Sequence, residues 1–105
     1  MSSSKEYLDY ILDCLSLCDE VSYRAMMGEY ILYFRGKVIG GIYDDRFLVK
    51  VTEVSRRLLP DAPLEIPYEG AKEMLLIEDA DDREFLQTLF LAMEKELPSP
   101  KKKSK

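Results

Sequence analysis

Arg24-Ala25-Met26-Met27-Gly28, followed by Tyr30-Ile31-Leu32-Tyr33 and later by Leu48-Val49-Lys50-Val51, is the stretch that decides the fold of this chain. Val21, Tyr23, Ala25 and Met27 alternate with Ser22, Arg24 and Met26, the period-two spacing of a strand, so Arg24 points away from the face of Val21 and Tyr23. Gly28-Glu29 breaks the run. Tyr30 to Phe34 is apolar at every position, as in an inner strand covered on both sides for part of its length. Arg35-Gly36 then predicts a two-residue hairpin turn, with Val38 to Tyr43 returning antiparallel. Gly40-Gly41 inside that strand predicts a bulge or a close backbone approach. Asp44-Asp45 turns the chain into Arg46 to Val51, with Phe47, Val49 and Val51 on one face and Arg46, Leu48 and Lys50 on the other. Four strands in a meander result.

Helical spacing flanks the meander on both sides. Ser3 and Glu6 have the form of a capping box, and Tyr7, Leu8, Ile11, Leu12 and Leu15 recur at helical intervals, predicting a helix from about Ser4 to Leu17. Thr52 is a good N-cap for a short helix from Glu53 to Leu59, which Pro60 and Pro63 stop. The loop from Asp61 to Lys72, stiffened further by Pro67, leads to a fifth strand from Glu73 to Glu78. Asp79, Asp81 and Asp82 place negative charge at the start of a last helix, whose apolar stripe is Phe85, Leu86, Leu89, Phe90, Met93 and Leu97. The expected fold is α+β and two-layered: an antiparallel sheet of about five strands, with the N- and C-terminal helices packed on one face, in the order α-β-β-β-β-α-β-α.

A length of 105 residues fits one small domain, expected over residues 1–97, with a Lys-rich tail over 98–105 that is too short and too simple in composition to fold. With 47% hydrophobic and 33% charged residues the chain has the composition of an ordinary globular protein. It has no run of apolar residues long enough to cross a bilayer and no signal-peptide pattern at Met1 to Glu6, so a cytoplasmic location without membrane contact is expected. Cys14 and Cys18 lie four apart on the first helix and are expected to be small apolar core residues in a reduced protein. A zinc site needs about four ligands, and the chain has no histidine and no third cysteine.

Charge is unevenly placed. Four of the 15 basic residues are Lys101, Lys102, Lys103 and Lys105, which leaves 11 basic against 20 acidic residues, or −9, for the body. Nucleic-acid affinity comes largely from neutralised phosphates, so the body is expected to repel nucleic acid, and weak binding would reside in the tail lysines. No catalytic constellation is visible: the commonest general base is absent, and Ser22, Thr52 and Ser55 have no base in the same motif. The acidic run Asp79 to Asp82 reads as a helix start rather than a metal loop. A non-enzyme without cofactor or metal is expected.

The run from Arg24 to Val51 resembles the TfoX N-terminal domain, whose pattern is roughly Arg-x-Met-Phe-Gly-Gly, an aromatic hairpin with Gly-Lys at its turn, and a strand ending Leu-Lys-Val. Here Met27 stands for the Phe and Glu29 for the second Gly. The resemblance extends over roughly Leu8 to Leu97 and implies an α+β domain of an interaction or regulatory kind, associated with transcriptional and competence regulation through protein contacts. Full-length relatives add a C-terminal domain, and this chain is expected to be a stand-alone copy without it.

With the helices on the face of Val21, Tyr23, Phe47 and Val49, the other face is expected to carry the partner-binding residues Arg24, Leu48 and Lys50, with the hairpin tyrosines Tyr30, Tyr33 and Tyr43. Tyrosine and arginine are enriched in binding hot spots. A structural alternative pairs Arg24 with a carboxylate such as Glu29 and has the tyrosines finish the core. The expected partner is a protein, a second copy of the chain included. Weak nucleic-acid binding through the tail and carriage of a small ligand beside Arg24 are the alternative functions.

Overall fold

The computed structural model describes residues 4–97. Its order is α1 (Lys5–Cys14), β1 (Val21–Met26), β2 (Glu29–Phe34), β3 (Lys37–Tyr43), β4 (Arg46–Val49), α2 (Glu53–Leu58), β5 (Leu64–Glu65), β6 (Met74–Leu76) and α3 (Arg83–Glu94). The strands form one antiparallel sheet in the order β1-β2-β3-β4-β6-β5, an α+β arrangement. The strand beyond the expected five is β5, two residues inside the proline-rich loop that pair with Met74 and Leu75. The Lys-rich tail lies outside the described residues.

Three hairpins of identical design make the meander. The turns Met27-Gly28, Arg35-Gly36 and Asp44-Asp45 each consist of two residues at positive φ, between 53° and 85°. Such turns match the right-handed twist of paired strands, which is why they are favoured where the loop has only two residues. Met27 is therefore a turn residue and not the end of β1. At Gly40 and Gly41 the backbone comes close, as their sequence predicts: a Cβ on Gly40 would lie 2.2 Å from the Leu48 carbonyl oxygen, and one on Gly41 would lie 2.5 Å from the Tyr43 ring. A register shift between Leu32 and Tyr33 leaves one extra β3 residue opposite β2.

The helices cap and dock as short amphipathic elements must. Ser4, not Ser3, caps α1, its hydroxyl accepting from the Tyr7 N–H. Thr52 and Ser55 exchange side-chain bonds to close a capping box on α2, and Asp82 caps α3. One face of the sheet then buries Leu32, Phe34, Ile39, Ile42, Phe47, Val49 and Leu75 against Leu8, Ile11, Cys14 and Leu15 of the α1 segment and Leu86, Leu89, Phe90 and Met93 of α3. Polar ties fix the helix ends: Lys37 reaches both the carboxylate and the carbonyl oxygen of Glu94, Arg83 pairs with Asp13, and Glu96 accepts from the Val54 N–H.

Leu89 is fully buried on this face. Leu89→Ala should lower unfolding stability by about 2 to 5 kcal/mol, read as a shifted denaturant midpoint. Met27 is 95% exposed at a positive φ that its side chain does nothing to stabilise. Met27→Asn should raise stability by about 0.5 to 1 kcal/mol, part of the ~1 to 2 kcal/mol penalty an ordinary L-residue bears there, measured by thermal melting.

Candidate interaction face

Strand alternation assigns each residue to the helix-covered inner face or to the outer face. Val21, Tyr23 and Ala25 lie opposite Phe34, Leu32 and Tyr30, and these six share the inner side. Ser22, Arg24 and Met26 lie opposite Tyr33, Ile31 and Glu29 on the outer side. The outer side continues through Val38, Gly41 and Tyr43 of β3 and Arg46 and Leu48 of β4.

The expected binding residues are thereby split. Arg24 and Tyr33 share the outer face, and Lys50 lies just beyond β4 at a cleft on that face. Tyr30 does not belong there: it packs against the main core on the inner side, its ring edge-on to Tyr23 at 5.8 Å. Leu48 faces outward but has no exposed surface, so it cannot contact a partner. Tyr43 is buried as well. Arg24 is in no ion pair among the described residues, with Glu29 or any other carboxylate, and Glu29 accepts the Asp44 N–H at 3.0 Å.

Leu48 and Tyr43 are covered because residues 66–73 fold back over the β4 end of the outer face. Arg46 holds this strap with its whole guanidinium: to Glu65 Oε1 at 2.6 Å, to the carbonyls of Ile66 and Pro67 at 3.3 and 3.4 Å, and to that of Tyr43 at 3.1 Å. Pro67 is buried by the fold-back, and Tyr68 tilts against Tyr43 at 6.0 Å while remaining 62% exposed. Burial raises the Tyr43 hydroxyl pKa, with Tyr68, Glu29 and Tyr33 adding to the rise.

Between strap and sheet lies an open cleft of about 700 Å³. Its sheet side is Ile31, Val38 and Lys50, and its strap side includes Pro67, Tyr68 and Lys72. Toward β1 the strap ends, and Ile31 and Tyr33 are half-buried while Ser22, Arg24 and Met26 are exposed. The lining sets apolar Ile31 and Val38 beside Tyr43 and Tyr68, with Lys50 and Lys72 balanced by Glu73 and Glu96. The described residues contain no group of three or more His, Cys, Asp or Glu placed to hold a metal ion, and no helix long and apolar enough to cross a membrane. Cys14 and Cys18 are free and buried, and burial, with Asp19, pushes the Cys18 thiol up to about 11.

Fold and face together define a small two-layer α+β domain with helices on one side and an incompletely roofed sheet on the other. Within that class, the chain belongs to the TfoX N-terminal domain family, which matches residues 13–93. It is 30% identical over 102 residues to an uncharacterized 12.7 kDa protein in the trpE 5′ region from Spirochaeta aurantia, covering 96% of this chain and 89% of that one. No solved structure matches the chain. The family motif Arg24 to Gly28 is the end of β1 and the first hairpin turn, so its glycine serves the positive φ of 85° there.

The Arg46 clip tests the strap directly. Arg46→Ala should speed amide exchange across residues 66–73 while lowering stability by only about 1 kcal/mol, because the ion pair is partly solvated. Arg46→Lys should restore the Glu65 pair and not the strap, since an ammonium that holds Glu65 has only two donors left, on a single atom, for the three carbonyls the guanidinium reaches.

Proposed function

We propose that this chain is a non-enzymatic, cytoplasmic interaction module that binds a protein partner through the outer face of its sheet, in keeping with a regulatory role of the TfoX kind. The observation that carries the reading is the outer-face cleft with its apolar floor of Ile31 and Val38, walled by Pro67 and Tyr68. The inner face is consumed by its own helices, so the outer face is the larger apolar surface left to a partner. Lys50 and Lys72 line the cleft together with Glu73 and Glu96, so its charges balance and the apolar floor carries the contact, while Arg24 adds a positive charge at the open end. Family membership supports a TfoX-like module, and the free cysteines fit a reducing compartment. Competence or transcriptional control is the finer form of the proposal, exerted through protein contacts rather than by the folded body reading DNA, whose −9 charge opposes phosphate.

Site-specific photo-crosslinking in cells tests this. A crosslinker at Val38 should capture a discrete protein that one at Leu91, exposed on α3, does not, and Ile31→Asp should abolish capture with melting preserved. Equal capture from both positions would sink the cleft reading. The nucleic-acid alternative has its own signature: binding through four tail lysines would give a slope of log K against log salt no steeper than about −3.6 and would vanish on deletion of residues 98–105. A tail-less protein that still held duplex DNA at physiological salt would replace the protein-contact reading.

A further inference from the structure

The two edges of the sheet are built differently. At one edge β5 has two residues, with Pro63 just before it and Pro67 just after, the usual protection against pairing with another chain. At the other edge β1 has six residues, no proline, no lysine and no bulge, and every residue from Ser22 to Met26 is exposed. Its sequence, Val-Ser-Tyr-Arg-Ala-Met, has the branched and aromatic content of a pairing strand and carries a single charge.

The ladder fixes which backbone groups this edge offers. The Arg35 N–H donates to the Glu20 carbonyl at 3.0 Å, and Glu20 and Arg35 continue the β1–β2 register by one step. Hydrogen-bonded pairs alternate along an antiparallel ladder, so Ser22, Arg24 and Met26 spend their N–H and C=O groups on β2. Val21, Tyr23 and Ala25 aim theirs outward, where the described residues supply no strand.

From this edge we infer that the chain forms a homodimer by antiparallel pairing of β1 with β1 of a second copy about a two-fold axis at Tyr23. The occupant is a second copy because backbone, side chains and charge all close in one register. Centred at Tyr23, the outward groups of Val21, Tyr23 and Ala25 meet those of Ala25, Tyr23 and Val21 of the second copy, so none of the three residues is left unpaired. The same register sets Arg24 across from Ser22 of the other copy. Centring at Arg24 would put two guanidiniums directly opposite each other, which is destabilising, and centring at Ser22 would leave Ala25 without its mate. Tyr23, 43% exposed and edge-on to Tyr30, would be covered by its counterpart, joining two such pairs into one aromatic cluster on the inner side. A C₂ interface of this kind is self-complementary and closed, so it joins two sheets and stops. The inference stands apart from the cleft, which lies on the outer face and keeps its opening in the dimer.

Hydrogen exchange and solution mass on the full chain test it. In the dimer the amides of Val21, Tyr23 and Ala25, which have no acceptor within their own sheet, should become protected as concentration rises. The mass should move from 12.2 kDa toward twice that value over the same range. Ala25→Pro removes an outward donor without breaking a β1–β2 bond, and should give loss of both the dimer and the protection with the fold retained. The wild-type exchange pattern decides the matter even should that variant fold poorly. Free exchange of the three amides at every concentration, a dimer in which they stay unprotected, or protection that requires a different protein would each overturn the inference.

Discussion

The packing of Phe90 between Phe34 and Phe47 is the contact on which the rest of the molecule depends. Its ring centroid lies 5.6 Å from that of Phe34 on β2 and 6.5 Å from that of Phe47 on β4, so one side chain of α3 spans the centre of the meander. Offset aromatic contacts add to the area such rings bury. A helix of this length is marginal in water on its own, and docking through Phe90, Leu86, Leu89 and Met93 is what holds it folded. Because α1 docks on the same side, the sheet is asymmetric from the outset: one face is closed by covalently attached helices, and the other is left to whatever the connections can supply.

What the connections supply is the strap. A six-stranded sheet with one bare face would expose Leu48, Tyr43 and their neighbours to water. Residues 66–73 cover the β4 end, and the guanidinium of Arg46 is the device that makes the coverage possible, since it satisfies carbonyls that a folded-back loop would otherwise leave unpaired. The coverage stops short of β1 and β2. The result is graded exposure across one face, from fully buried Leu48 through half-buried Ile31 and Tyr33 to exposed Arg24 and Met26.

Most of the fold was legible because it is written in local signals. The turns at Arg35-Gly36 and Asp44-Asp45, the apolar stripe of α3, the Thr52 cap and the close approach at Gly40-Gly41 are each set by residues near one another in the chain, and the structure has them where the sequence puts them; the first turn falls one residue earlier than expected, at Met27-Gly28. The cap of α1 moved by one because Ser2, Ser3 and Ser4 are chemically equivalent and only the docked helix selects among them. The site was less legible, for two reasons. Tyr30 and Tyr33 are three positions apart, so alternation alone separates them onto opposite faces; grouping them by residue type overrode that signal. Leu48 has no local signal of burial, because what covers it begins near Pro67 and is pinned by Arg46 across some twenty residues of chain. The same non-local contact creates β5, whose two residues pair only because Met74 and Leu75 lie alongside.

Charge completes the logic of the exposed end. Arg46, Arg83 and Lys37 are committed to ties between different elements of the fold, while on the surface Arg35 pairs with Glu20 across the end of the β1–β2 ladder and Lys5 pairs with Asp9 within α1. Arg24 is outside this set, although the body carries a large excess of carboxylates to which it could have been paired. An arginine that enters a complex from an existing ion pair must first give up that pair, and the net gain shrinks accordingly. Arg24 has none among the described residues to give up, and on its face it is flanked by Ser22, Met26 and Ile31, with Glu29 one pair along. A contact made there adds its full charge-assisted energy, and it does so at the one end of the outer face that the strap leaves open.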